Sequence, residues 1–183
     1  MTQNDIKKNN YRDEIELKGY TPVITKEKAI EIARKKPFFR KEKGVVDSVM
    51  LLYKPFSLFH YSALIRHKKH RDRSPEKIEM YIAVDMITGL GFESEAIEPA
   101  ITIRVGKNQV VKPLIDENKA LNEAKRLLLK LKTKISKYGL EIVKENLIEL
   151  GIVYKPIWIV KFVDYRRERE TYVGVDALKG TRL

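Results

Sequence analysis

The chain alternates two hydrophobic rhythms, and it runs through both of them twice. Leu121, Ala124, Leu128, Leu131 and Ile135 recur at intervals of three and four, the spacing that gathers apolar side chains on one stripe of a helix. The stretch leading into it, "PLIDENKAL" at 113–121, supplies a start. Asp116 can accept the free N–H groups of a first turn, and Ile115 stands where a hydrophobic staple forms. Gly139 offers a left-handed stop after Tyr138. A shorter version begins with "PVITKEKAI" at 22–30. There Thr25 is the cap, Ile24 the staple, Ala29, Ile32 and Ala33 the inward stripe, and Pro37 the stop.

After each helix the rhythm changes to that of strands. "LLYKPFSLFHYSALIR" at 51–66 and "IVYKPIWIVKFVDYRR" at 152–167 are rich in aromatic and β-branched residues. Both carry Tyr-Lys-Pro, at 53–55 and 154–156, which puts a proline at the strand start, where a missing N–H is tolerated. Each leads through a hairpin to a second strand, "MYIAVDMITG" at 80–89 and "TYVGVDALKG" at 171–180. These align on Tyr81 and Tyr172, Val84 and Val175, Asp85 and Asp176, and Gly89 and Gly180. A short strand precedes each helix, "IELKG" at 15–19 and "ITIRVG" at 101–106. Three matches in one order make a duplication. The expected fold is α+β, as two tandem β-α-β-β units, each a helix packed on a curved antiparallel sheet. Residues 1–14 read as a flexible tail, 15–98 as the first repeat and 99–183 as the second.

The order of "ITKEKAIEIARKKP" at 24–37, a Pro-led aromatic strand and "YIAVDMITG" resembles the PepSY family and its YpeB-like relatives. Their pattern joins a Glu/Lys-Ala-rich helix, a Y-x-P-x-W-x-V-x-F strand and a terminal Y-V-x-V-D-A-x-T-G. The second copy carries "YKPIWIVKF" and "YVGVDALKG", with Lys179 at the usual Thr position. The first keeps Thr88 and Gly89 but has Phe56 and Phe59 and no Trp. The resemblance covers most of 21–91 and 113–180. It implies a cystatin-like fold and a non-catalytic role, since members occur in peptidase-regulating propeptides and in membrane or envelope proteins.

Composition changes the picture in two ways. The 183 residues are 43% apolar, enough for a core without crosslinks, and the absence of cysteine excludes disulfides and thiolate zinc sites. That pattern points to the cytoplasm, as does an N-terminus without the apolar segment of a signal peptide. No stretch approaches the roughly 18 apolar residues of a membrane span. The second change is charge: 37 Lys and Arg against 25 Asp and Glu leave +12, which favours acidic partners.

The positive residues cluster. "RHKKHRDR" at 66–73 provides Arg66, Lys68, Lys69, Arg71 and Arg73, and "RRERE" at 166–170 provides Arg166, Arg167 and Arg169. The second helix adds Lys125, Arg126, Lys130, Lys132, Lys134 and Lys137. These could grip phosphates or an acidic protein. No stacking aromatic is interleaved with the hairpin cations, so sequence-specific nucleic-acid readout is not indicated. Asp85 and Asp176 fit turns that cap their own backbone better than cation sites. His67 and His70 lie in a short cationic run with no acidic or thiolate partner nearby, so no metal site is expected, and His60 falls on the strand as a packed or rim side chain. Gly-rich phosphate loops, nucleophile elbows and H-E-x-x-H are absent, so neither catalysis nor a cofactor is implied. Tyr154, Trp158 and Phe162 share one strand face, Tyr53 is the first-copy counterpart of Tyr154, and Phe59 lies along the first-copy strand. That face either packs under a helix or floors a pocket.

The function expected is a non-enzymatic binding or regulatory module that recognises a protein partner with an acidic surface. The first alternative is non-specific nucleic-acid binding through the basic hairpins. The second is a small-ligand or peptide pocket on a cystatin-like sheet.

Overall fold

The computed structural model describes residues 13–35, 44–70, 72–94 and 99–183. Most of the 1–14 tail, Pro37 and Arg71 lie outside these residues. The elements are β1 (Glu14–Gly19), α1 (Lys26–Arg34), β2 (Val45–His67), β3 (Glu76–Asp85), β4 (Gly91–Ser94) and β5 (Ile101–Gly106), then α2 (Glu117–Lys137), β6 (Leu140–Asp164) and β7 (Arg169–Asp176). The protein is α+β, with its strands in a curled mixed sheet and two helices among the described residues. The strand order is β4-β3-β2-β6-β1-β5, with β7 on β6. The β1–β5, β2–β3, β3–β4 and β6–β7 pairs are antiparallel, whereas β1 meets β6 in parallel at Gly19 and Tyr154.

The local signals act as their chemistry dictates. Thr25 accepts the Lys28 N–H at 3.3 Å and Asp116 the Lys119 N–H at 2.8 Å, so each helix begins at its cap. Ala29, Ile32 and Ala33 of α1 are buried, as are Ala124, Leu128 and Ile135 of α2. Gly139 takes φ 73° just after α2, the left-handed stop its position calls for.

The strands are longer than the sequence rhythm indicates. β2 has 23 residues and β6 has 25, so Pro55 and Pro156 lie inside them rather than at their starts. Both prolines stand where hairpin pairing begins, since β3 joins β2 from Phe56 and β7 joins β6 from Ile157.

The chain forms two compact units, and each draws on both sequence repeats. The first holds the described residues through Lys54 together with Ile101–Val111 and Tyr154–Leu183. In it α1, from the first repeat, packs on the β6–β7 hairpin of the second. Its core joins Ala29, Ile32 and Ala33 to Val160, Phe162, Val173 and Val175. A smaller cluster of Tyr53, Ile103 and Val105 lies with Tyr154 and the β1–β5 pair. The strand that precedes α2 in sequence, β5, thus pairs with β1 in this unit.

The second unit holds the described residues of Pro55–Ala100 and Lys112–Val153. Here α2, from the second repeat, packs on the β2–β3 hairpin of the first. Ala120, Ala124, Leu128 and Ile135 meet Phe59, Tyr61, Ala63, Ile65, Ile82 and Val84. The compact units therefore do not coincide with the spans 15–98 and 99–183. Strand length explains this: β2 and β6 are each more than twenty residues long, and each begins in the unit that holds the helix before it and ends in the other unit.

Candidate binding surface

The repeated Asp-x-x-x-Gly ends are structural. Asp85 Oδ1 accepts the Ile87 and Thr88 N–H groups at 2.9 and 3.4 Å, and Asp176 Oδ1 accepts those of Leu178 and Lys179 at 2.9 and 3.1 Å. Gly89 and Gly180 close the turns at φ 72° and 67°, each donating its N–H to the Asp carbonyl. Asp176 also meets Lys155 Nζ at 2.5 Å. Burial opposes its ionisation, but Lys155 and the two backbone donors hold the carboxyl below its usual range.

The aromatic face of β6 is occupied by the protein's own side chains. Phe162 is fully buried against α1, and Trp158 packs beside it with Nε1 donating to the Ile24 carbonyl at 2.7 Å. Tyr53 and Tyr154 lie in the β1–β5 cluster, and Phe59 lies under α2.

The basic hairpins differ from each other. Arg66 is committed within its unit, with Nη2 2.7 Å and Nε 3.2 Å from Glu141 Oε1. Lys68 donates its N–H to the Gly139 carbonyl at 2.9 Å, and its Nζ reaches Ser136 Oγ at 3.1 Å. The hairpin tip is thereby fastened to the last turn of α2, near Lys134 and Lys137. Lys69 and Arg73 are exposed, and Arg71 is outside the described residues. The second hairpin carries its own acids. Arg166 donates its backbone N–H to Asp164 Oδ1, Arg167 Nε lies 3.8 Å from Asp164, and Arg169 stands opposite Asp164 in the strand register. The two hairpins belong to different compact units.

His60 stacks on Tyr81 with centroids 4.8 Å apart, and its Nε2 lies 3.7 Å from Glu79. His67 and His70 lie 5.2 Å apart, centroid to centroid. Among the described residues no three His, Cys, Asp or Glu side chains gather as a metal site.

A surface that the sequence did not single out lies in the second unit. A cleft of about 520 Å³ runs between α2 and β6, lined by Tyr61, Lys125, Leu128, Leu129, Lys132, Glu145, Asn146 and Leu147. Glu145 accepts from Tyr61 Oη at 2.8 Å and from Lys132 Nζ at 2.6 Å. Lys132 and then Tyr61 hold the Glu145 carboxyl below its usual range, while burial and that same bond push the Tyr61 phenol up, so it stays a donor. Leu129 is 64% exposed beside these lysines. Helical spacing already placed Lys125 and Lys132 on α2, but Glu145 and Leu147 lie on a stretch with no clean strand alternation. The cleft was legible only in half.

No protein-family model matches the chain, and neither a curated protein nor a solved structure matches it. No helix among the described residues is long and apolar enough to cross a membrane.

Proposed function

We propose that the protein is a non-catalytic binding module that recognises a protein partner through an acidic segment, engaged at the cleft between α2 and β6. The observation that carries this reading is the setting of Lys125 and Lys132 beside the exposed Leu129 and the half-buried Leu147. Cations bordering exposed apolar surface suit a polypeptide, which offers carboxylates and apolar side chains together. The two repeats keep a PepSY-like, cystatin-like interpretation on their motifs, and that family's non-catalytic character agrees with a binding role.

Nucleic-acid binding is favoured by one observation. Tyr138, 68% exposed, caps α2 next to Lys134, Lys137 and the fastened Lys68, so an aromatic does stand among the cations.

The two readings separate in one titration. Labelled poly-L-glutamate and labelled single-stranded DNA and RNA would be followed by fluorescence anisotropy at about 50 and 200 mM salt. The acidic-partner reading expects poly-L-glutamate to lose affinity about tenfold in a Lys125→Glu/Lys132→Glu variant and little in a Lys68→Ser/Lys69→Ser/Arg73→Ser variant. Tighter binding of nucleic acid, lost in the hairpin variant, would replace that reading with the second.

A further inference from the structure

β6 is 25 residues long, but its neighbours cover its edges unevenly. β7 pairs with Ile157–Asp164, and β1 meets it at Tyr154. Over 140–153 one side faces β2, with Glu141 bonded to Arg66 and Glu145 to Tyr61. No described strand pairs with the other side. Along that stretch Val143, Ile148 and Leu150 are 47%, 46% and 45% exposed. A row of backbone donors and acceptors that no described strand pairs, beside apolar side chains, is a template for another strand.

We propose that the open edge of β6 between Val143 and Leu150 takes up an extended acidic peptide segment as an added strand, with alternate side chains directed to the cleft beside α2. The inference rests on the acidic-partner reading and names the form in which that partner binds. Strand addition fixes the peptide through its main chain, and every second side chain then lies on one face. On the α2 side, Leu129 and Leu147 would take apolar residues and Lys125 a carboxylate, while Lys132, already paired with Glu145 at 2.6 Å, would share its remaining donors with a second.

Charge selects the occupant. A second copy would set +12 against +12, and like charge opposes close approach. Nucleic acid has no amide backbone with which to extend a sheet. An acidic, β-forming peptide satisfies both the edge and the lysines.

The test uses the full chain and a labelled peptide of about twelve residues, a long strand's length, alternating Val or Thr with Glu. Two further versions carry N-methyl groups on alternate amides, one set for each edge of the peptide. Strand addition expects one N-methylated version to bind about tenfold or more weakly than the other, because only one edge donates to β6. It also expects new hydrogen-exchange protection within 143–150. Binding that is indifferent to both N-methylated versions, with no protection at 143–150, would overturn strand addition. If poly-L-glutamate still depended on Lys125 and Lys132, the acidic-partner reading would survive that failure. Loss of both signals would overturn the two together.

Discussion

Asp176 has three tasks at one carboxylate: it accepts two backbone N–H groups on one oxygen and meets Lys155 with the other. Asp176→Ala leaves those donors without their acceptor at a site only 3% exposed, and should cost about 1–3 kcal/mol in urea unfolding. Asp176→Asn keeps an oxygen for the turn and should cost less. The pH response follows from the sign of the shift. A carboxyl held below its usual range lends stability that is complete above the unfolded-state value, near pH 4, and is lost as pH falls through the lower folded value. Glu145 is shifted in the same direction by Lys132 and Tyr61. The urea midpoint should therefore fall as pH drops below about 4, and Asp176→Asn should flatten that fall. The Asp turns were readable in sequence because the Asx-to-Gly geometry spans only five residues. The Lys155 partner was not, because it stands on the neighbouring strand, twenty-one positions away in sequence.

At the scale of elements, the helices were legible and the long strands were not. Capping and three-four spacing act within a few residues, so Thr25, Asp116 and the stripes were found where the sequence placed them, though Leu121 and Leu131 are half-buried and Ala120 joins the buried set. The first half of β6 lacks the alternation by which strands are recognised. Leu140 and Ile142 pack against the core, then Leu147, then Ile152, and each odd step reverses the alternation. Gly151 sits within the second reversal at φ 89°, a left-handed conformation of the kind that bulges use. A Cβ added there meets nothing within 4 Å, so the cost of Gly151→Ala should come from the backbone alone, about 1–2 kcal/mol. Gly180→Ala combines a similar φ of 67° with an Ile24 Cδ1 contact at 3.1 Å and should destabilise more. Comparing the two in urea unfolding checks the attribution. An equal loss at both positions would mean that the Ile24 side chain yields freely.

For the molecule as a whole, the duplication was legible and the exchange of partners between its copies was not. Local rhythm shows that a helix needs a sheet to cover its apolar stripe, and a hairpin needs a helix, but it does not say which helix covers which hairpin. The unbroken β2 and β6 decide that, by carrying each hairpin out of the compact unit that holds its own repeat's helix. Ala29, Ile32 and Ala33 then have their core partners at 160–175, and Phe59, Tyr61 and Ile82 have theirs at 120–135. A chain cut between 98 and 99 gives halves that match the sequence repeats but sever both cores. Each half alone would expose a helix stripe and a hairpin face, so neither should unfold cooperatively as a monomer by circular dichroism. An equimolar mixture should regain the cooperative transition, because each helix stripe again finds, on the other piece, the hairpin that covers it. A half that folds alone, as a monomer with a sharp urea transition, would show that its helix can cover its own hairpin. The exchange would then be a choice made by the joined chain, since each repeat could close on itself.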